Sequence, residues 1–306
     1  MQSDLRWILS VPLHALIGTD LFEPVLLKYF PDIQKRITPR LTVRDLLPFQ
    51  GEAQFLEELQ QTAACFEEET KREVREFGVD IDLKDIRYQW GTPEINEAVV
   101  RKIEEIYPVS QGNIICYGPS NMTFWYSMEQ DMLPYHAQNH GMGGCTDLDL
   151  IRYAPRILYP YRPSAVIIQT GSNDIASGIP LEEILQRKKE MYALFLRRLP
   201  ETKLIVCSGL PLPGRMQFWE ATKQTNRLLR DLCEENPRLY FLDATDAMMT
   251  DSGEEKYRSA DGRFFNPDLF RIDRIHLNKK GHDVWTQLMK TALASANVHA
   301  GREASV

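Results

Sequence analysis

A three-layer α/β/α fold built on a parallel sheet is predicted for the larger, C-terminal part of this chain, from three observations. Short, apolar, β-rich runs recur after Gln111-Gly112, at residues 113–117, 135–139, 165–170, 204–207 and 239–242. Longer segments with apolar residues at helical spacing separate them, at 122–132, 146–158, 181–199 and 216–234, and a last one runs from Lys279 to about residue 294. Such alternation places helices on both faces of a parallel sheet. The third observation is that polar or glycine-rich clusters follow the strand ends, which is where the chemistry of such sheets gathers.

The first of these runs leads directly into Gly118-Pro119-Ser120-Asn121 and the predicted helix behind it. A serine at a strand-to-helix turn is exposed and has the free N–H groups of a helix start beside it. Taken alone, Ser120 or Asn121 also reads as a helix N-cap. The second run ends in Asn139-His140-Gly141-Met142-Gly143-Gly144, a turn in which backbone can approach a ligand without an intervening Cβ. It is not a dinucleotide fingerprint, because neither the G-x-G-x-x-G spacing nor the following acid is present. The third run, from Ala165 to Thr170, is followed directly by Gly171-Ser172-Asn173-Asp174. The Asn173 amide there could donate to developing negative charge, although ordinary turn formation also explains the tetrad.

Asp273-Arg274-Ile275-His276 supplies a carboxylate three residues before an imidazole. Serine is a weak nucleophile at its own pKa, so it needs a histidine to take its proton and an acid to hold that imidazole in the right tautomer. A turn at this spacing folds the carboxylate onto Nδ1 and leaves Nε2 to face Ser120. Phe264, Phe265 and Phe270 just upstream either wall a substrate pocket or anchor their loop to the core, and Arg215, Gln217 and Trp219 carry the same two readings.

Residues 1–110 differ in texture and are predicted to form a smaller, mostly helical domain ahead of the domain at 111–306. Segments 50–78 and 95–107 carry apolar residues at helical spacing (Phe55, Leu56, Leu59; Val99, Val100, Ile103, Ile106), and Thr92-Pro93-Glu94 reads as a helix start. The apolar stretch from Trp7 to Ile17 is broken by Pro12 and His14 and lacks a basic leader, so it reads as a core helix. No catalytic constellation is legible in this part, and His14 reads as a packed or surface histidine rather than a ligand. Its apolar helical faces must be buried against something, either along the edge of the active-site cleft or in self-association.

Composition removes several classes. A formal charge of −7 without a basic run argues against a nucleic-acid partner that depends on phosphate neutralisation. The 5 cysteines are widely spread and include no C-x-x-C pair, which argues against a disulfide framework or a zinc knuckle and fits a reducing, cytoplasmic setting. No stretch approaches the roughly 18–20 apolar residues that a membrane span requires.

With Ser120, Gly144, Asn173 and His276 in hand, the sequence resembles the SGNH (GDSL-type) hydrolases from about residue 113 to about 294. The tract 118–125, with Tyr161-Arg162-Pro163 and Asn173-Asp174-Ile175-Ala176, is similar to the intracellular members related to platelet-activating-factor acetylhydrolase. Pro119 departs from the Asp or Ser usual in the family's first block. The resemblance implies a flavodoxin-like domain and no metal or other cofactor. It makes Ser120 the nucleophile, His276 the base and Asp273 its orienting acid, with the N–H groups of Ser120 and Gly144 and the Asn173 side chain as the oxyanion hole. Asn121, Phe264 and Phe265 are the candidate substrate-binding residues. The implied activity is hydrolysis of a small acyl, acetyl-type ester of a small molecule or carbohydrate through an acyl-serine intermediate. Two rivals use the same fold: a non-catalytic carbohydrate- or partner-binding module, and acyl transfer to an acceptor other than water.

Overall fold

The computed structural model describes residues 6–79 and 93–299. Its first part holds the short helices α1 (Arg6–Leu9), α2 (Leu13–Leu16) and α3 (Glu23–Tyr29), then the long α4 (Glu52–Phe77) and α5 (Pro93–Ile106). The elements that follow are β1 (Ile114–Gly118), α6 (Ser120–Thr123), α7 (Met128–Asp131), β2 (Ala137–Gly141), α8 (Asp147–Ile157), β3 (Ala165–Ile168), α9 (Ser172–Ala176) and α10 (Leu181–Arg198). After them come β4 (Lys203–Cys207), α11 (Trp219–Glu235), β5 (Leu239–Leu242), a small hairpin of β6 (Met249–Thr250) and β7 (Phe264–Phe265), and α12 (Lys279–Ser295).

All five long strands run parallel in the order β2-β1-β3-β4-β5. The order reverses after β1, and the C-terminal ends of β1 and β3, which carry Ser120 and Asn173, are adjacent at that switch point. Successive strand residues face opposite sides, and in a covered parallel sheet both sides are apolar. Cys116, Ile167 and Ile205 pack with Trp285, Met289 and Leu293 of α12 on one face, in a cluster that also takes Phe77 from the end of α4. Ile115, Val166, Ile168 and Val206 pack on the other with Leu150 and Ile157 of α8 and Phe195 of α10. Val100 and Ile103 of α5 belong to this second layer, so α5 is a cover of the sheet. A third core, made by residues 8–74 around Leu13, Phe22, Phe55 and Leu59, is closed by Phe124 from the α6–α7 connection.

The expected elements recur with differences that have local causes. The apolar stretch at 7–17 is core, with Ile8, Val11, Leu13 and Leu16 fully buried, but it is not one helix. Pro12 has no N–H and sits extended (ψ 135°) between α1 and α2. The chain on either side instead bonds to residues 41–43, Leu13 N–H to the Leu41 carbonyl at 2.7 Å and Val43 N–H to that of Val11 at 3.2 Å. The helix expected at 122–132 is likewise split into α6 and α7. Its break lets Phe124 enter the third core and Trp125 the first, while the indole N–H of Trp125 and the hydroxyl of Ser127 both donate to Asp131. Strand β2 starts two residues later than expected, because Tyr135 N–H still closes a turn onto the Met132 carbonyl. The expected helix start at residue 92 lies outside the described residues, and α5 begins at Pro93.

Three buried histidines follow from this packing. His140, at the end of β2, lies against the rings of Tyr107 and Tyr161 at 5.3 and 4.9 Å and donates from Nδ1 to the Ile157 carbonyl at 2.6 Å. Burial lowers its pKa to about 4, and that of His14 likewise to about 4. His282, stacked on Trp125, is lowered further still, first by burial and then by the nearby cations. An unfolded imidazole protonates near 6.5, so between pH 6.5 and about 4 the unfolded chain binds the more protons and stability falls as the pH falls. Thermal melts should therefore show a declining midpoint from about pH 6.5 to pH 5, above the range where ordinary carboxylates titrate. His140→Gln, which keeps a donor for Ile157, should flatten that slope. A midpoint constant across the window would contradict neutral burial of these rings.

Candidate active site

Ser120 is the first residue of α6, immediately beyond β1. Pro119 holds the N-cap position, where no N–H is required, and its carbonyl accepts from Met122 and Thr123 at 2.9 and 3.3 Å. This is how the chain accommodates proline before the serine. Asn121 is buried and its Oδ1 accepts the N–H of Leu277 at 3.0 Å, tying the serine turn to the loop that carries the histidine.

That loop is folded by its own acid. Asp273 Oδ1 accepts the N–H groups of Ile275 and His276, each at 3.0 Å, and Oδ2 takes the Nδ1 proton of His276. Between them Arg274 adopts φ 60°, a left-handed conformation costing a non-glycine residue about 1–2 kcal/mol. Its side chain donates to the Pro267 carbonyl and its own carbonyl accepts from Gly214 N–H, both of which hold the bend. The result is that His276 Nε2 stands 2.8 Å from Ser120 Oγ. Burial alone would raise the Asp273 pKa, but the charge and hydrogen bonds of His276 together with Arg271 outweigh it and hold the carboxyl well below its ordinary value. Asp273 is thus a carboxylate at neutral pH.

Asn173 reaches the same place from β3. Gly171 at φ 111° turns the strand into α9, in a conformation that L side chains rarely adopt. The Asn173 Nδ2 group donates one proton to the Cys145 carbonyl at 3.0 Å, which leaves its second N–H for a ligand. Among the described residues the N–H groups of Ser120 and Gly144 make no hydrogen bond. Behind this turn lies a buried ionic network. Asp174 accepts from Asp147 N–H at 3.2 Å and from Arg187 at 3.1 Å, while Asp147 meets Lys188 at 3.1 Å and the Thr170 hydroxyl at 2.7 Å. Burial and then the charge of Asp147 push Asp174 up, to about 8.

Ser120, Asn121, Gly144, Asn173 and His276 line one cleft, with Asp273 beneath His276. Phe264 and Phe265 do not join them. Phe265 packs edge-on against Trp219 at 5.5 Å and Phe264 lies under the guanidinium of Arg258, so both anchor the β6–β7 hairpin. Sequence reasoning left three further contributors unplaced. Arg215 lines the cleft, Ala15 of α2 forms one of its walls, and the buried His14 donates from Nε2 to the Gly144 carbonyl at 3.2 Å. A histidine with no neighbouring motif carries no such signal in a linear reading. Among the described residues no cluster of His, Cys, Asp and Glu is placed to hold a metal ion, and no helix is long and apolar enough to cross a membrane.

A strand-end serine, an acid–imidazole pair folded onto it and an amide at the neighbouring strand end define a hydrolase of the α/β/α type. Residues 113–284 match the GDSL-like lipase/acylhydrolase family, and the chain belongs to that family. None of the curated proteins matches the chain significantly. Among solved structures it is similar to a Streptococcus pneumonia protein described as a platelet activating factor (TM-score 0.54, 19% identity, 65% of this chain and 92% of that one). It is also similar to a protein from Bacteroides fragilis described as an acylhydrolase (TM-score 0.53, 20% identity, 65% and 95%). A GDSL-like lipase from Bacteroides thetaiotaomicron gives a TM-score of 0.52 at 18% identity, over 66% of this chain and 98% of that one. At these identities the likeness is one of fold. The segment before residue 113 lies outside the family match.

Helix α4 of that outlying part nevertheless supports the loop that carries Asp273 and His276. Glu69 accepts Arg271 Nε at 3.1 Å with one oxygen and Ile272 N–H at 2.6 Å with the other, and the side chains of Glu69 and Arg271 are buried. Removing one partner of a buried ion pair leaves an uncompensated charge and costs about 3–5 kcal/mol. Glu69→Ala is expected to lower the unfolding free energy by about 3 kcal/mol, read from the denaturant midpoint at unchanged slope. A loss below about 1 kcal/mol, the scale of an exposed pair, would mean that this pairing does not hold the loop.

Proposed function

We propose that the protein is a serine esterase that removes a small acyl group, acetyl fitting best, through an acyl-serine intermediate on Ser120. The observation that carries this reading is the unbroken hydrogen-bond chain from Asp273 through His276 to Ser120 Oγ, opening into a cleft beside the Asn173 amide. His276 Nε2 takes the hydroxyl proton as Oγ attacks the ester carbonyl, and Asp273, held as a carboxylate, stabilises the imidazolium so formed. Negative charge then develops on the carbonyl oxygen, and the N–H groups of Ser120 and Gly144 and the second Nδ2 proton of Asn173 are the donors this reading assigns to it. Collapse expels the alcohol, which takes its proton from His276, and water repeats the sequence on the acyl-serine.

A binding module has no use for a base aligned on a serine, which argues for turnover. Support for a short acyl chain comes from the cleft itself. Ala15, Leu212 and Ile275 close it, and its cavity volume is about 20 Å3. A cleft this small favours a short acyl group over a long alkyl chain. The alcohol portion faces the open side, which suits a small-molecule or carbohydrate ester.

An organophosphorus fluoride probe should form one adduct, mapped by peptide mass spectrometry to Ser120 and missing from Ser120→Ala. Failure of the folded protein to label there would overturn the nucleophile assignment. Across a series of nitrophenyl esters, kcat/KM should be highest for acetate and at least about tenfold lower for octanoate, on the basis that each misfitted methylene costs about 1–3 kcal/mol. A maximum at eight carbons or more would refute the short-chain assignment.

A further inference from the structure

Arg215 is a charged cleft residue that the proposed mechanism leaves without a part. It sits in the 3-10 turn Pro213–Phe218, is 5% exposed and makes four hydrogen bonds to neutral acceptors. Nη1 donates to Ser172 Oγ at 2.6 Å and to Asn173 Oδ1 at 3.3 Å, Nη2 to the His14 carbonyl at 2.8 Å and Nε to the Ile17 carbonyl at 3.3 Å. No carboxylate stands within ion-pair distance of it among the described residues. Burial draws its pKa down, opposed by the more distant charges of Asp273 and Glu23, to about 10. It remains a cation at neutral pH. A buried cation without a counter-ion is unfavourable unless something else in the site answers it.

The bond to Asn173 also decides which way the oxyanion amide points. With Oδ1 on the guanidinium and Nδ2 on the Cys145 carbonyl, a flipped amide would set donor against donor and acceptor against acceptor. Hydrogen bonding at the amide oxygen also draws electron density away from the nitrogen and strengthens its N–H as a donor.

We propose that Arg215 is the positioning residue of the oxyanion hole, holding and polarising the Asn173 amide so that its second N–H is aimed and strengthened for the tetrahedral oxyanion. This rests on the esterase reading above. An interaction completed only in the transition state accelerates the chemical step and leaves substrate binding little changed.

The guanidinium is itself held by the segment outside the family match. Gly18, at φ 77°, and Gly214 meet backbone to backbone, and a Cβ on Gly214 would lie 2.2 Å from the Gly18 carbonyl oxygen. Asp20 N–H donates to the Asp273 carbonyl at 3.2 Å, two residues beyond this contact. Residues 14–20 therefore touch Gly144, Arg215 and the Asp273 loop together, so the amide's alignment depends on chain far from it in sequence.

A double-mutant cycle tests the proposal, with kcat and KM measured on nitrophenyl acetate for wild type, Arg215→Met, Asn173→Ala and the pair, each shown to be folded by thermal melting. Loss of an oxyanion donor costs about 10²–10³ in kcat, so Asn173→Ala should fall in that range and Arg215→Met near about 10², with KM moving less than about threefold. The double variant should lie within about tenfold of Asn173→Ala, because Arg215 acts through the amide that is already gone. Multiplied losses, as a scaffold role gives, or a folded Arg215→Met at wild-type kcat would overturn it. Should the methionine variant not fold, Arg215→Lys keeps the charge and loses the fork. A loss in kcat of about tenfold that disappears on the Asn173→Ala background supports the proposal, and an equal loss on both backgrounds overturns it. A wild type without turnover or Ser120 labelling removes the esterase reading and this one with it, whereas a multiplicative cycle in an active wild type removes only the role of Arg215.

Discussion

The carboxylate of Asp273 is bonded at every face, and the arrangement around Ser120 depends on it. One oxygen satisfies two backbone N–H groups of its own turn, the other orients the imidazole, and its backbone carbonyl is taken by Asp20. A fully buried carboxyl would ordinarily prefer to be neutral. Here the surrounding donors and the guanidinium of Arg271 reverse that preference, so the anion is stable and the imidazole has a fixed tautomer. The left-handed Arg274 is the strain that this bend stores, held by its contacts to Pro267 and Gly214. Asn121 then links the bend to the Ser120 turn through its side-chain oxygen, which accepts the backbone N–H of Leu277, so that serine and histidine meet although 156 positions separate them.

The sheet supplies the frame for this meeting. Strands β1 and β3 are neighbours in register, which sets the turn after each at the same height above the sheet. The cost of building at strand ends is that polar groups must be buried there, and the structure meets it with pairs and networks. Asp174, Asp147, Lys188 and Arg187 sustain the Asn173 turn, and Glu69 with Arg271 sustains the Asp273 loop. Such pairs add little to stability relative to an apolar replacement, yet removing one member is expensive. They fix geometry more than they add stability.

The first 110 residues take part in this frame by two routes. α5 covers one face of the sheet, and α4 and residues 14–20 reach the loops above it. The short helix α2 brings Ala15 to the cleft and His14 to the carbonyl of Gly144, and Pro12 interrupts the helix that its apolar pattern would otherwise form. A local breaker is in this way connected to the width of the cleft.

What the sequence determined by itself was the sheet, its helices and the polar groups that gather at the strand ends. Buried parallel strands announce themselves as continuous apolar runs, and a serine, an amide and an acid–histidine turn at strand ends are local patterns that survive in one dimension. Boundaries were legible to within a few residues except where side chains split a helix, as Phe124 and Trp125 do by entering different cores. Tertiary structure alone decided the rest: that Arg215 donates to Asn173, that His14 bonds Gly144, that Glu69 meets Arg271, and that Phe264 and Phe265 turn away from the cleft. Those contacts join residues about 40 to 200 positions apart and use ordinary buried polar or aromatic groups. Such groups carry no period or spacing, so their partners exist only once the chain has packed.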